Sequence, residues 1–334
     1  MNNHNIREKG TGEERAMSEN IKLKHYYEPE TFEKNYYDFL MKVEKNEADY
    51  KDSEGSYIDP DSVSDVNKSN FYNHLTCFLN HQEEKYKKSY LFLPPSKAPM
   101  TTSEKIDDDM YDKLDEKKIV VTQSRKVLFR LTSDQFGFSA TETKYNDNRY
   151  PLTNLLRLYQ NSEPEERDKV KKRITQYVKN TRTIGGSFLW PVPPKGKRDC
   201  NYNQQRGVRN YLEDRVDLTL LEIKHALEGR YDNGEYASDM LYNQYRSEKT
   251  HIKTWLEHFG TFPEYVEYFM LEPFIAEDGW PINIVNGEPL NDNYIENYRE
   301  HRLQDLSAEK LCDMLKRLEC MILNRSKKME NVIK

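Results

Sequence analysis

Residues 162–191, SEPEERDKVKKRITQYVKNTRTIGGSFLWP, decide the predicted fold, because a basic helix, a glycine turn and an apolar run follow one another directly. Ser162 is a suitable N-cap, and the glutamates behind it suit the positive end of a helix dipole. Val170, Ile174 and Val178 recur at helical spacing and predict the inner face. The stretch therefore predicts a packed helix that leads into a turn.

Two segments carry the β-strand pattern. Gly185 and Gly186 predict a tight turn into a buried strand at 184–190, which would hold Trp190 in the core. The β-branched run at 119–133, IVVTQSRKVLFRLTS, is the strongest strand pattern in the chain. Because most other segments have helical spacing, we expect an α+β fold that is predominantly helical, with a small β element around 119–133 and a further candidate at 184–190.

The remaining chain divides into a tail and two regions. Further helices are predicted at 24–43, 71–87, 210–227, 236–258, 263–271 and from Ser307 onward, with a short strand at 282–285. Gly229 is the predicted stop after 210–227, Thr261 is the predicted cap of 263–271, and Ser307 is that of the last helix. The last helix has a predicted apolar stripe of Leu311, Met314, Leu315, Leu318, Met321 and Ile322. The predicted organisation is a flexible tail at 1–20, a helical N-terminal region at 21–117 with an acidic linker at 46–70, and a main α+β domain at 118–330.

The composition limits which classes of protein the sequence can belong to. The chain has 334 residues, of which 36% are hydrophobic, 32% charged and 12% aromatic, and this aromatic content argues against general disorder. It contains no apolar run long enough to cross a membrane and no secretory signal, so we expect a cytoplasmic protein without a membrane partner. The four cysteines lack metal-ligand spacing and are predicted to be free thiols in a bacterial cytoplasm.

Positive charge is concentrated in the middle of the sequence. Residues 167–209 contain twelve Lys or Arg and only two Asp, about +10, whereas the whole chain carries -6. Since salt screens competing fields beyond roughly 8–10 Å, such a segment attracts phosphates even on an acidic protein. It predicts a nucleotide or a nucleic acid as partner.

A set of polar and aromatic residues in this segment suits an anion. Consecutive glycine amides form an anion-binding nest, arginines bind phosphate with two donors, and an aromatic ring stacks on a base. The predicted ligand-binding residues are Arg182, Gly185, Gly186, Trp190, Asn203, Arg206 and Arg209. The sequence lacks a P-loop and a dinucleotide fingerprint, and the alternative is a purely structural turn beside a solvated basic helix face.

Two carboxylates provide a weaker catalytic candidate. Asp214 and Asp217 are three residues apart on a predicted helix and share a face. They could act as acid and base on a phosphate ester, or they could pair with arginines to hold the loop. The histidine spacings predict no metal site, and no cofactor is predicted.

The motifs IGGSFLWP, NYNQQRG, LEDRVDLTLLEIKHAL and WLEHFGTFPEYVEYFML resemble an uncharacterised bacterial family with a domain of unknown function. The resemblance covers about residues 125–275 and implies no activity. Its matching residues are Ile184, Gly185, Gly186, Pro191, Asn203, Arg206, Gly207, Asp214, Arg215, Asp217, Leu218 and Thr219.

Three functions follow from these patterns. The first is binding of a phosphate-bearing ligand, nucleotide or nucleic acid, through the basic Gly-Gly/Arg segment in a phage- or defence-related setting. The alternative is a non-enzymatic interaction or scaffold protein with a protein partner. The third is a metal-dependent phosphohydrolase or nuclease that uses Asp214 and Asp217.

Overall fold

The computed structural model describes residues 22–26, 41, 65–88, 91–93, 120–124, 163–186, 188–191, 216–235, 242–243, 245–247, 252–291 and 307–333. The helices are α1 Asp65–Tyr86, α2 Pro164–Asn180, α3 Val216–Leu227, α4 Ile252–Glu257, α5 Phe262–Tyr268 and α6 Ala308–Ile333. The strands are β1 Leu91–Leu93, β2 Val120–Ser124 and β3 Phe188–Pro191. Short 3₁₀ turns occupy Ile184–Gly186, Arg230–Asn233 and Glu272–Phe274.

The predicted α+β class is wrong, because the described part of the chain is mainly helical. Its core is built from helices and the turns between them. Strand β2 lies within the β-branched run predicted at 119–133, and β3 overlaps the end of the strand predicted at 184–190, whose first three residues form a 3₁₀ turn instead. These short strands do not decide the class, because it depends on tertiary packing between helices. The strands are three to five residues long, and β2 pairs parallel with β1 and antiparallel with β3. At the strand predicted for 282–285, the structure has an isolated bridge between Ile282 and Pro289.

Helix α6 is the element against which much of the described chain packs. It contacts α1, α2 and the 3₁₀ turn Ile184–Gly186, which is called the glycine turn below. The Ser307 hydroxyl accepts a hydrogen bond from the Lys310 amide at 3.3 Å, as expected of an N-cap. The predicted apolar stripe is confirmed, since all of its members are buried: Leu311, Met314, Leu315, Leu318, Met321 and Ile322.

Helix α2 carries the basic segment onto α6. It begins at Pro164 with Glu163 as its N-cap, and Ser162 lies outside the described residues. Val170 and Ile174 are buried, as predicted, whereas the Val178 side chain lies outside the description. Arg173 Nη2 forms an ion pair with Glu319 of α6, which joins the two helices beside this apolar contact.

Helix α3 is buried on nearly every side, and its apolar residues belong to the same hydrophobic core as those of α6. It packs against α4 and α5. The predicted stop at Gly229 agrees with a φ of 76°, a left-handed conformation that suits glycine. Helix α5 begins with the predicted cap, because Thr261 and Glu264 form a reciprocal capping box. No helix among the described residues is both long and apolar enough to cross a membrane.

Candidate functional site

The sequence-predicted site residues fall into two groups. Arg182, Gly185, Gly186 and Asp217 are described together with their surroundings, and Trp190 is placed in β3 by its backbone alone. The others lie outside the described residues, and their roles stay predictions: Asn203, Arg206, Arg209 and Asp214.

The glycine turn is buried against α6. The Gly185 amide donates to Ser326 Oγ at 3.0 Å, and the Gly186 amide donates to Thr183 O at 3.2 Å. The Ser326 and Thr183 hydroxyls are 2.6 Å apart and form a further hydrogen bond. Both glycine amides therefore have internal acceptors. Their predicted use as an anion nest would require these bonds to open.

A buried arginine holds the same turn from α6. Arg325 Nη1 donates to Gly185 O at 2.6 Å, and its Nε donates to Phe269 O at 2.9 Å. Burial lowers the pKa of Arg325 to about 10, so the guanidinium remains charged at neutral pH. This arginine joins the C-terminal end of α5 to the glycine turn.

Asp217 holds a loop in the described structure. Its Oδ2 accepts the Ile284 amide at 3.0 Å, and Arg317 Nη1 donates to the carbonyls of Ile284 and Val285 at 2.6 and 3.0 Å. This loop is not the Arg-Gly loop of the structural alternative, and the pairing of the carboxylates with arginines there stays a prediction. Among the described residues, no group of three or more His, Cys, Asp or Glu could hold a metal ion.

The short segment 22–26 docks where α2 ends, at a place that sequence reasoning missed. Residues 24–26 are not helical, so this start of the predicted 24–43 helix is wrong. The Tyr26 amide donates to Arg182 O at 2.8 Å. The His25 ring makes hydrogen bonds with the backbone of Asn180 and of Leu23. The segment is thereby fixed to the turn that follows α2.

His74 of α1 links two side chains of this segment. Lys24 Nζ lies 3.0 Å from its Nε2, and Tyr26 Oη lies 2.5 Å from its Nδ1. The Tyr26 ring packs edge-on against Phe71, with the ring centres 5.2 Å apart. Because an ammonium can only donate, Nε2 must accept; the neutral ring then carries its proton on Nδ1 and donates it to Tyr26.

The lowered pKa of His74 supports a neutral ring beside the Lys24 ammonium. Burial lowers the pKa of His74, Lys24 lowers it further, and Glu330 opposes both effects. Burial likewise lowers the pKa of His25, and the nearby positive charge of Lys179 adds to this lowering. We call Lys24, His25, His74 and Lys179, beside Arg182, the Lys24 face.

A buried carboxylate lies next to this face. Glu330, near the end of α6, is 8% exposed, and its Oε1 is buried without a hydrogen-bond partner. Burial is the main cause of the raised pKa of Tyr26, and the charge of Glu330 adds to it; at His74 the same charge partly opposes the lowering of the pKa. A buried acceptor in this state is uncommon and needs an explanation.

No local motif could have revealed this face. His74 was one of two histidines seven residues apart, a spacing that predicts no metal site. Its partners lie 48 and 50 positions earlier in the chain. The sequence pattern nearest to this face is the basic segment, whose helix α2 ends beside it.

Comparison with known proteins identifies a family for this chain. The family model described as Family of unknown function (DUF6994) matches residues 100–304, more than half of the chain. The match contains residues 125–275, which carry the resemblance described above. Helix α2 and the glycine turn lie inside it, whereas segment 22–26, α1 and α6 lie outside. No curated protein and no solved structure matches the chain.

Proposed function

The chain belongs to DUF6994, a family of unknown function, and we propose that it binds a phosphate-bearing ligand, a nucleotide or a nucleic acid, at the Lys24 face. The observation that carries the proposal is the position of Lys24. Its ammonium is exposed and held by a neutral imidazole, and it forms no ion pair with a carboxylate among the described residues. Such a cation attracts a phosphate oxygen without first having to break an ion pair.

The surroundings of Lys24 favour an anion. Burial is the main cause of the lowered pKa values of His25 and His74, and Lys179 and Lys24 respectively add to it, which indicates positive potential at both rings. Arg182 follows α2 at this point and is half-buried, and its carbonyl fixes the segment through Tyr26. The basic segment and the Lys24 face thus meet at one surface.

Other cations of the basic segment have internal partners. Arg173 pairs with Glu319 of α6, and Lys172 pairs with Asp168 within α2 at 2.6 Å. These pairs fit the alternative of an interaction or scaffold protein, in which part of the basic segment docks inside the molecule. They do not neutralise Lys24, and for this reason we favour ligand binding.

The proposal is tested by titration calorimetry of the full chain with inorganic phosphate, adenosine 5′-monophosphate and a single-stranded oligonucleotide. Lys24→Ala should weaken binding by about tenfold, because a hydrogen bond to a charged group contributes roughly 1.5–3 kcal/mol. Lys22→Ala is the matched control, since Lys22 is an exposed lysine of the same segment.

The outcomes distinguish a specific phosphate-binding site at Lys24 from general electrostatic attraction of the ligand to the protein. Equal weakening by both substitutions would contradict a site at Lys24 and indicate a diffuse electrostatic effect. Absence of binding to all three probes would refute the proposed function. A binding constant for the oligonucleotide that falls steeply with salt, without nucleotide binding, would identify nucleic acid as the partner.

A further inference from the structure

The unpartnered oxygen of Glu330 indicates what the ligand carries besides its phosphate. Glu330 is more than nine-tenths buried, and its Oε1 has no hydrogen-bond partner. Removing a carboxylate oxygen from water without a compensating hydrogen bond is unfavourable. A donor supplied by a ligand would satisfy this oxygen.

The hydroxyl of Tyr26 provides the complementary group. His74 Nδ1 donates to Tyr26 Oη when Lys24 donates to Nε2, and this arrangement leaves the hydroxyl proton of Tyr26 available as a donor. Glu330 follows Ser326 by one turn of α6, and Ser326 bonds to Thr183, next to the Arg182 carbonyl that accepts from the Tyr26 amide. The charge of Glu330 adds to the raised pKa of Tyr26, of which burial is the larger cause. One place near the Lys24 face therefore offers both an acceptor and a donor.

A ligand hydroxyl matches this pair of groups, because a hydroxyl can donate one hydrogen bond and accept another. A carboxylate accepting from sugar hydroxyls is a common recognition element for nucleotides. We propose that the ligand is a phosphate ester that also carries a free hydroxyl, as sugar phosphates and nucleotides do. In this arrangement the phosphate binds at Lys24, and the hydroxyl donates to Glu330 Oε1.

This inference rests on the proposed function and adds a second contact to it, between a hydroxyl of the ligand and Glu330. Glu330 Oε1 is itself enclosed, and the proposal therefore requires a neighbouring segment to move aside before a ligand hydroxyl can reach this oxygen. Segment 22–26 carries both Lys24 and Tyr26, and its displacement and return would place them on the bound ligand.

A matched pair of ligands tests the inference. Glycerol 1-phosphate and propyl phosphate have the same carbon chain and differ by two hydroxyls. By titration calorimetry, the wild-type chain should bind glycerol 1-phosphate about tenfold more tightly, as expected for a hydrogen bond to a charged group. Ribose 5-phosphate and adenosine 5′-monophosphate then distinguish a sugar phosphate from a nucleotide.

Two variants identify the residues responsible. Glu330→Gln keeps the side-chain size and should reduce the tenfold preference to about twofold or less, without weakening propyl phosphate. Lys24→Ala should weaken both ligands equally and leave the preference unchanged. Thermal unfolding of Glu330→Gln checks that the variant is folded, and loss of a buried charge should not destabilise it.

The two proposals fail in different ways. If wild-type protein binds both ligands equally well, the role of Glu330 is refuted while phosphate binding stands. If the preference survives in Glu330→Gln, another group recognises the hydroxyl and the inference is wrong. If neither ligand binds, the proposed function itself fails and the inference fails with it.

Discussion

Replacing Gly185 by alanine should destabilise the protein strongly, although the position is not one that requires a left-handed backbone. An added Cβ would overlap the Oγ and N atoms of Ser326 and would lie 2.8 Å from Ile322 O. Two of these three atoms belong to the backbone of α6, so a side-chain rotation cannot relieve the overlap. The glycine turn and α6 would have to separate.

The magnitude follows from what this separation disrupts. Overpacking of a tight contact costs about 1–3 kcal/mol. The shift also strains the hydrogen bonds from Gly185 N to Ser326 and from Arg325 to Gly185 O, at about 1 kcal/mol each. We expect a loss of about 4 kcal/mol in the free energy of unfolding. At roughly 2–4 °C per kcal/mol, the midpoint of thermal unfolding falls by about 8–16 °C.

Gly279→Ala is the matched control in calorimetric and urea unfolding. Its φ is +80°, and nothing lies within 4 Å of an added Cβ, so the substitution costs backbone strain of about 1–2 kcal/mol alone. If Gly185→Ala is no less stable than Gly279→Ala, the tight contact with α6 is refuted. If Gly185→Ala is stable but no longer binds phosphate, the result would instead support the anion-binding role of the turn that was predicted from the sequence.

Two further substitutions test the electrostatics and a helix cap. The pKa values of His25, His74 and His258 are lowered chiefly by burial, so below pH 6.5 the unfolded chain binds more protons than the folded one. Their contribution to stability is therefore present above pH 6.5 and is lost as the pH falls toward the lowered values. Urea unfolding at pH 7.5 and 5.5 should show this loss of stability, and the loss should be smaller in His74→Gln. A wild-type chain that is more stable at pH 5.5 would contradict the lowered pKa values of these histidines. Thr261→Ala should lower the free energy of unfolding in urea by about 1 kcal/mol, because it removes the capping box, whereas Thr261→Ser should retain most of the stability. Equal losses in the two variants would show that the cap is not responsible.

The sequence by itself determined features that depend on residues close together in the chain. The cap at Thr261 involves Glu264, three residues away, and the stop at Gly229 depends on its own backbone angle. The apolar stripe of α6 is equally local, because helical periodicity places its residues on one face whatever they contact. The concentration of positive charge at 167–209, which includes the end of α2, is likewise a local property of the sequence.

Only the tertiary structure decided which of these elements meet. The sequence left two interpretations of the turn at Gly185 open, an anion-binding nest and a tight structural turn, and Ser326, which gives no local signal from 141 residues away, closes the turn with a hydrogen bond. Lys24 and His74 are 50 residues apart, and nothing near either one predicts the other. The α+β prediction failed for the same reason, because strand preference is a property of a few residues whereas the fold class depends on which surfaces are buried together. Local sequence specifies helix ends and faces; the pairing of distant side chains follows only once the core has assembled.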